Sequence, residues 1–423
     1  MRVLISSVPL MGHLNPILSI GRGLVNRGHE VIGLSARSFQ QRVEAIGATF
    51  RAFEGNANRD LSNFVQYFPE ISSIPPGVET NKFYFERVFA DPMLAQYASV
   101  CKVLDEFPVD LIVSDNLFFG LLPLLLGARK KRPPIAYFGI TFLLWHRADE
   151  APCNMALPLA APGHYNELAA EVKATFDDPY RTYLNNILAK TCSSPLNDSI
   201  FDSVVHLPDL HLQTTVPQFE YPRSDMPDSV RFIGAIPIVP KQAPLPDWAG
   251  DLDGSKKVVL VSQGTLSNFD FTQLIRPTLD ALADDPSLLV VVTAGGRSVD
   301  DVPGSIPSNA RIASYLPFEW LLPRVDVFVT NGGYGSVNQA LSYGVPIVGA
   351  GNSEDKAEVN ARVAWAGVGI DLQTNTPTVM ALRDAVRKIL SDARYRAKAR
   401  ELALEYRRHA SNGDVVQILE SMI

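Results

Sequence analysis

Cysteine is scarce in this sequence. Cys101, Cys153 and Cys192 are far apart and odd in number. They give neither a zinc-ligand spacing nor a disulfide framework, which fits a reducing compartment, and a cytoplasmic protein is expected. Excess positive charge is also missing. Lys and Arg number 38 against 45 Asp and Glu, a net charge of −7, so the charge balance gives no reason to expect nucleic acid as a partner. Apolar runs stay short. The longest, Leu117–Ala128, falls below the ~20 residues that a helix needs to span a bilayer, so no integral membrane segment is expected. The opening residues MRVLISSVPLMGHL have no charged segment followed by a long apolar core, and no signal peptide is expected. No internal sequence repeat stands out. The remainder is ordinary for a globular chain: 423 residues, 46% hydrophobic and 20% charged, enough for two or three domains.

What is present centres on Val325–Gly351, VDVFVTNGGYGSVNQALSYGVPIVGAG. VDVFVT is apolar and β-branched and reads as a buried strand. It runs into Asn331-Gly332-Gly333-Tyr334-Gly335-Ser336. Val337–Tyr343 reads as a short helix closed by Gly344 and Pro346, and Pro346–Ala350 as a second buried strand. Strand, glycine-rich turn and helix start make a geometry that holds a phosphate. Glycines let the backbone come close, and the free N–H groups at the helix N-terminus attract an anion. The same turn also serves as a plain strand-to-helix connection that binds nothing, and the motif alone does not decide.

A similar unit opens the chain. Residues 2–7, RVLISS, read as a strand, and residues 8–14 as a loop. Asn15 is expected to cap the next helix, with Pro16 at its first position. Ile17, Leu18, Leu24 and Val25 share one face, Gly28 ends the helix, and Glu30–Ser35 is the next strand. Such alternation implies an α/β fold with doubly wound parallel sheets, whose ligands sit at the carboxyl ends of the strands. His13 lies at that end. Asp110–Val113 starts another strand, which puts Asp115 on the same rim. A lone loop histidine is often just solvated, and Asp115 alone reads equally as a helix cap. Together they make a general base, because a neighbouring carboxylate raises the imidazole's basicity and fixes its tautomer.

Both motifs resemble those of the UDP-glycosyltransferase family, the two-domain nucleotide-sugar enzymes of the GT-B fold. Pro9, Gly12, His13, Pro16 and Arg27-Gly28-His29-Glu30-Val31 are similar to its amino-terminal signature. Thr330, Gly332, Gly333, Ser336, Gly344, Pro346 and Asp355 match its donor motif. Asn331 stands where the family has His, Gln339 where it has Glu, and Lys356 where it has Gln. The resemblance implies a catalytic His13 with Asp115 as partner, while His29 is structural. It implies donor contacts at Gly12, Gly264, Thr265, Leu316, Pro317, Asn331, Gly332, Gly333, Gly335, Ser336, Gln339, Asp355 and Lys356. Phe318 occupies the place of a family Gln beside the segment whose backbone reads the base.

The rest of the chain fills in the plan. Val205–Leu207 and Val230–Gly234 read as the last strands of a first domain spanning residues 1–234. A proline-rich linker covers 235–257. A donor domain covers 258–407, with strands at Val258–Ser262 and Leu288–Thr293. By resemblance, a final helix within 408–423 packs back on the first domain. The aromatic stretch Asn63–Tyr97 is largely helix core on its own pattern, and by resemblance also lines the acceptor pocket. Phe64, Tyr84 and Phe85 are its candidates, with Phe142 and Trp145 in the later loop Phe142–Leu159. The expected partners are a UDP-sugar, with a dTDP-sugar as rival, and a hydrophobic hydroxylated acceptor. No cofactor or metal is expected, since the helix N-terminus can take a cation's role. Transfer of a sugar with inversion is the leading reading. A nucleotide-sugar epimerase of the same fold, or a silent homologue that only binds a partner, stand as alternatives.

Overall fold

Short β-branched runs, buried on both faces, form the strands, as parallel sheets require. The computed structural model describes the chain except residues 62–63, 75–77, 224, 237–244, 266–267, 284 and 410–411, and the side chains of residues 64, 65, 72, 78 and 412–414. The first sheet holds β1 (Arg2–Ser6), β2 (Glu30–Ser35), β3 (Thr49–Ala52), β4 (Leu111–Asp115), β5 (Ile135–Gly139), β6 (Leu210–Gln213) and β7 (Val230–Phe232). Its order is β3-β2-β1-β4-β5-β6-β7. The second holds β8 (Lys257–Ser262), β9 (Leu288–Thr293), β10 (Ala310–Ala313), β11 (Val327–Thr330), β12 (Ile347–Gly349) and β13 (Gly369–Asp371), in the order β10-β9-β8-β11-β12-β13. Every pairing is parallel, so the expected α/β class with two doubly wound sheets is borne out.

Strand order reverses between β1 and β4, and again between β8 and β11. Ser6 pairs with Ser114, and Ser262 with Thr330, so each pair of strands ends level. The crevices beyond those ends are where an open parallel sheet binds its ligands. One face of the first sheet packs with Val415, Val416 and Leu419 in a single apolar cluster, which places the last helix (Asn412–Glu420) beside Leu14, Ile17 and Leu24. Glu420 anchors that helix, accepting from Arg27 Nη2 and meeting His29 Nε2, each at 2.8 Å. A larger cluster joins residues of both sheets, including Leu4 and Ile112 from one and Leu260 and Phe328 from the other. No helix among the described residues is long and apolar enough to cross a membrane.

Three local expectations need correction. The first helix is Met11–Asn26, so Asn15 does not cap it and Pro16 lies inside it. The N–H groups of His13 and Leu14 both reach the Leu10 carbonyl, at 3.0 and 2.8 Å, so the first turn closes upstream of the proline. Val205–Leu207 is not a strand: helix Ile200–His206 covers most of it, capped by the Ser199 hydroxyl, and the strand follows at β6. The helix after the glycine turn is Tyr334–Ser342, three residues earlier than expected. Of the linker expected at 235–257, residues 237–244 lie outside the described residues, while the rest holds a single 3-10 turn at Asp247–Asp251 and ends at Lys257, the first residue of β8.

Candidate active site

β1 ends at Ser6, and the chain turns through Val8–Leu10 into the first helix. That turn is fastened to Asp115 at the end of β4. Asp115 Oδ2 accepts the Val8 N–H at 2.8 Å and Oδ1 the Leu117 N–H at 2.9 Å. His13 Nδ1 lies 3.1 Å from Oδ1. The Asp115 side chain is wholly buried and that of His13 is 12% exposed. A carboxylate engaged this way can only accept, so Nδ1 is the donor, and in the neutral imidazole the lone pair is then on Nε2. The two residues therefore meet on one rim, with His13 in a helical turn rather than a loop. The Phe89 ring sits 6.0 Å from the imidazole, centre to centre.

The second half supplies the glycine turns. Gly332 has φ +95°, and a Cβ there would lie 2.4 Å from Asn360 Oδ1, so both conformation and space demand glycine. Gly335 and Ser336 fall in the first turn of the Tyr334–Ser342 helix, whose early N–H groups have no helical partner. Asn360 Nδ2 donates to the carbonyls of Asn331 at 3.3 Å and Gly351 at 2.9 Å, tying the turn to the loop after β12. Asn331 Nδ2 donates to the Gln263 carbonyl at 2.7 Å, which fixes its amide and aligns the turn after β8. Gly264, at φ +74°, follows there, with its carbonyl held by Asn268 at 3.1 Å and exposed Thr265 next to it. Gln339, Leu316 and Pro317 are buried, the last two just beyond the carboxyl end of β10. Lys356 is buried with its ammonium on Glu354. The chain's one Asp-x-Asp triplet, Asp251-Leu252-Asp253, is elsewhere. Asp251 holds Arg311 at 2.6 Å and Asp253 accepts the Ser255 N–H at 2.8 Å, near the amino ends of β10 and β8.

Asp355 joins the halves. Thr141, after β5, donates to its Oδ2 at 3.0 Å. Burial first, and the charge of Glu354, push the Asp355 carboxyl up from its ordinary pKa, against Lys356 and Thr141. Gln213 Nε2 donates to the Thr141 carbonyl and to the Tyr334 hydroxyl, both at 2.7 Å. Thr141, Gln213, Tyr334 and Asn360 are thus site-building residues that the sequence reading did not single out. Each works through contacts distant in sequence, which periodicity does not report.

Of the expected acceptor residues, Phe142 and Trp145 line one cavity, and Tyr84 and Phe85 are not in its wall. The Phe64 side chain lies outside the described residues. Tyr84 is half-buried, its hydroxyl pushed up to about 12 by burial and then by the charge of Glu354. Phe85 sits in a ring cluster, 5.5 Å from Phe89 and 5.4 Å from Phe201, centre to centre. Phe142 is buried, with the Arg362 guanidinium 4.7 Å from its ring centre. Trp145 lies against His146 and donates to Asp225 at 3.3 Å. Phe142, Trp145 and Phe201 share the wall of a cavity of about 350 Å³, which Glu358 and Arg362 of the second half help to close.

Known proteins resemble this chain over its whole length. Residues 277–422 match the model of the "Erythromycin biosynthesis protein CIII-like, C-terminal domain". The chain is 38% identical to UDP-glycosyltransferase 2 of Phaeomoniella chlamydospora over 96% of its own length and 92% of the relative's. It is 33% identical to 4'-demethylrebeccamycin synthase of Lentzea aerocolonigenes over 100% and 99%. Among solved structures, the glycosyltransferase of kitacinnamycin superposes with a TM-score of 0.74 at 22% identity, covering 100% of this chain and 98% of that one.

Proposed function

Because this chain belongs to the UDP-glycosyltransferase family and is a glycosyltransferase, we propose that it moves glucose from UDP-glucose to a hydroxyl of a hydrophobic small molecule, with inversion. The hydrogen bond between His13 Nδ1 and the buried Asp115 carboxylate carries this reading, because it leaves Nε2 as a base at the strand rim. In the proposed reaction Nε2 removes the acceptor proton as the oxygen attacks the anomeric carbon. The bond from that carbon to the diphosphate oxygen breaks, and displacement from the opposite side inverts the centre. Asp115 offsets the positive charge that His13 gains. The leaving diphosphate is taken by the N–H groups of the turns at Gly264–Thr265 and Asn331–Gly333 and by the start of the Tyr334–Ser342 helix. Asp355 accepts from sugar hydroxyls, which a carboxylate suits. Thr141 approaches the same group from the acceptor side. No metal ion takes part in this scheme.

The test is incubation with UDP-glucose, excess EDTA and a panel of phenols, sterols and macrolides, read by mass spectrometry. A monoglucosylated product is expected, with a β-anomeric proton by NMR from the α-linked donor. Loss of transfer in EDTA that Mg²⁺ or Mn²⁺ restores would overturn the metal-free scheme, and an α-linked product the inversion. Isomerisation of UDP-glucose without acceptor would point to an epimerase instead.

A further inference from the structure

The helix Lys356–Trp365 begins one residue after Asp355, yet two of its side chains face away from the donor turns. Glu358 and Arg362, four residues apart, lie on one face and are at most 5% exposed. Arg362 Nη1 donates to Glu358 Oε2 at 2.6 Å. Its Nε donates across to Glu220 Oε2 of the first half at 2.8 Å. The two outer carboxylate oxygens go to backbone. Glu220 Oε1 accepts the Leu143 N–H at 2.9 Å, and Glu358 Oε1 accepts the N–H groups of Met155 and Ala156 at 3.0 and 2.9 Å. A buried circuit therefore grips the segment Leu143–Ala156 at both ends.

The segment is held at its ends by this circuit and in its middle by its own buried Arg147–Asp149 pair. It has no helix or strand, and Glu150, Asn154 and Ala156 all have left-handed φ, between 52° and 65°. Such conformations persist only when the surroundings impose them. Buried ion clusters contribute little net stability, so the use of this one is geometric. The gripped segment also lines the cavity of about 350 Å³, and Phe201 in the cavity wall packs on Phe85, Phe85 on Phe89 and Phe89 beside His13.

We propose that Glu358 and Arg362, although in the donor half, are positioning residues for the acceptor: with Glu220 they set the shape of segment 143–156 and so determine which acceptors bind. This rests on the glycosyl-transfer reading above. It makes acceptor choice depend on how the Lys356–Trp365 helix is docked, although neither residue touches the reacting atoms.

The experiment compares wild type, Glu358→Gln and Arg362→Lys in the full chain. Glu358→Gln keeps the volume but turns one end of the grip from acceptor to donor. Hydrogen exchange of a peptide covering residues 150–158 is expected to quicken by about tenfold, the scale of one lost charge-assisted hydrogen bond. The acceptor KM is expected to rise by a similar factor, with the donor KM and the calorimetric Kd for UDP unchanged. Arg362→Lys keeps the charge but loses the fork, and an intermediate acceptor KM is expected. Faster exchange with an unchanged acceptor KM overturns the proposal, as does unchanged exchange. An equal rise in both KM values, or weaker UDP binding, would mark a general structural role and also overturns it. If wild type transfers no sugar to any acceptor, the functional reading fails instead, and the exchange data alone decide whether the circuit holds the segment.

Discussion

His13 can serve as a base only through the nitrogen that Asp115 leaves free, and the buried carboxylate has no other side-chain partner among the described residues. His13→Ala is therefore expected to lower turnover by about 10²–10⁴-fold, the range for a lost general base. UDP affinity by calorimetry should stay within about twofold, because no donor contact is proposed for that side chain. Turnover near wild type would exclude the role. Gln339 raises the opposite question, since a neutral amide stands where the family resemblance puts a charged acceptor for the ribose, and a neutral acceptor makes the weaker contact. A dTDP-sugar, with one ribose hydroxyl fewer, loses less by this. In a competition between UDP-glucose and dTDP-glucose, Gln339→Glu is expected to shift kcat/KM towards the UDP donor. An unchanged ratio means that Gln339 does not read the ribose. At this scale the places of His13, Asp115 and the glycines were legible, because residue types at strand ends mark where an open parallel sheet binds ligands. Thr141 and Asn360 were not, because their roles arise from contacts 214 and 29 residues away in sequence.

Elements were legible where composition and period agree. β1, β2, β4, β8 and β9 each hold a short apolar run, and their bounds follow from the sequence within a residue or two. Misreadings came where a strong local signal lost to tertiary context. Pro16 marks a helix start in isolation, but the Leu10 carbonyl already closes a turn before it. Within the helical stretch 166–188 lies a π-helical turn, Lys173–Asp177, and such turns often accompany functional strain. Asp177 on it is half-buried in the wall of the cavity of about 350 Å³. Burial first, and then the charges of Asp202 and Asp178, push its carboxyl up to about 6, against Lys173 and Arg181. The unfolded chain titrates near pH 3.9. Below about pH 4 both states hold the proton and the fold carries no penalty. Between about pH 4 and about 6 the unfolded chain ionises while the folded carboxyl keeps its proton, so stability falls, and the loss is complete once the pH has passed about 6. Asp177→Asn should remove that loss, stabilising the protein at pH 8 by about 1–2 kcal/mol after allowing for solvent screening. Little change is expected at pH 4. Equal melting temperatures for wild type and variant at pH 8 would refute the assignment.

For the whole molecule the question is which parts of the fold open together. The larger apolar cluster runs through both halves, which favours one cooperative unit. The last helix argues for separable behaviour. It follows the second half in sequence, yet Val415, Val416 and Leu419 complete the core of the first, where a Cβ at Gly23 would meet Val416 at 3.2 Å. The first sheet is therefore finished only when the far end of the chain arrives. Leu419 is wholly buried, so Leu419→Ala should cost about 2–5 kcal/mol. That loss should appear first where the helix seals the sheet, because local opening needs only the weakest cooperative unit. Amide exchange should therefore quicken in Met11–Asn26 and β1–β2, while β8, β9 and β11 keep their protection and UDP still binds. Uniform quickening across both sheets would mean that the shared core dominates, and that the two halves fold and open as one.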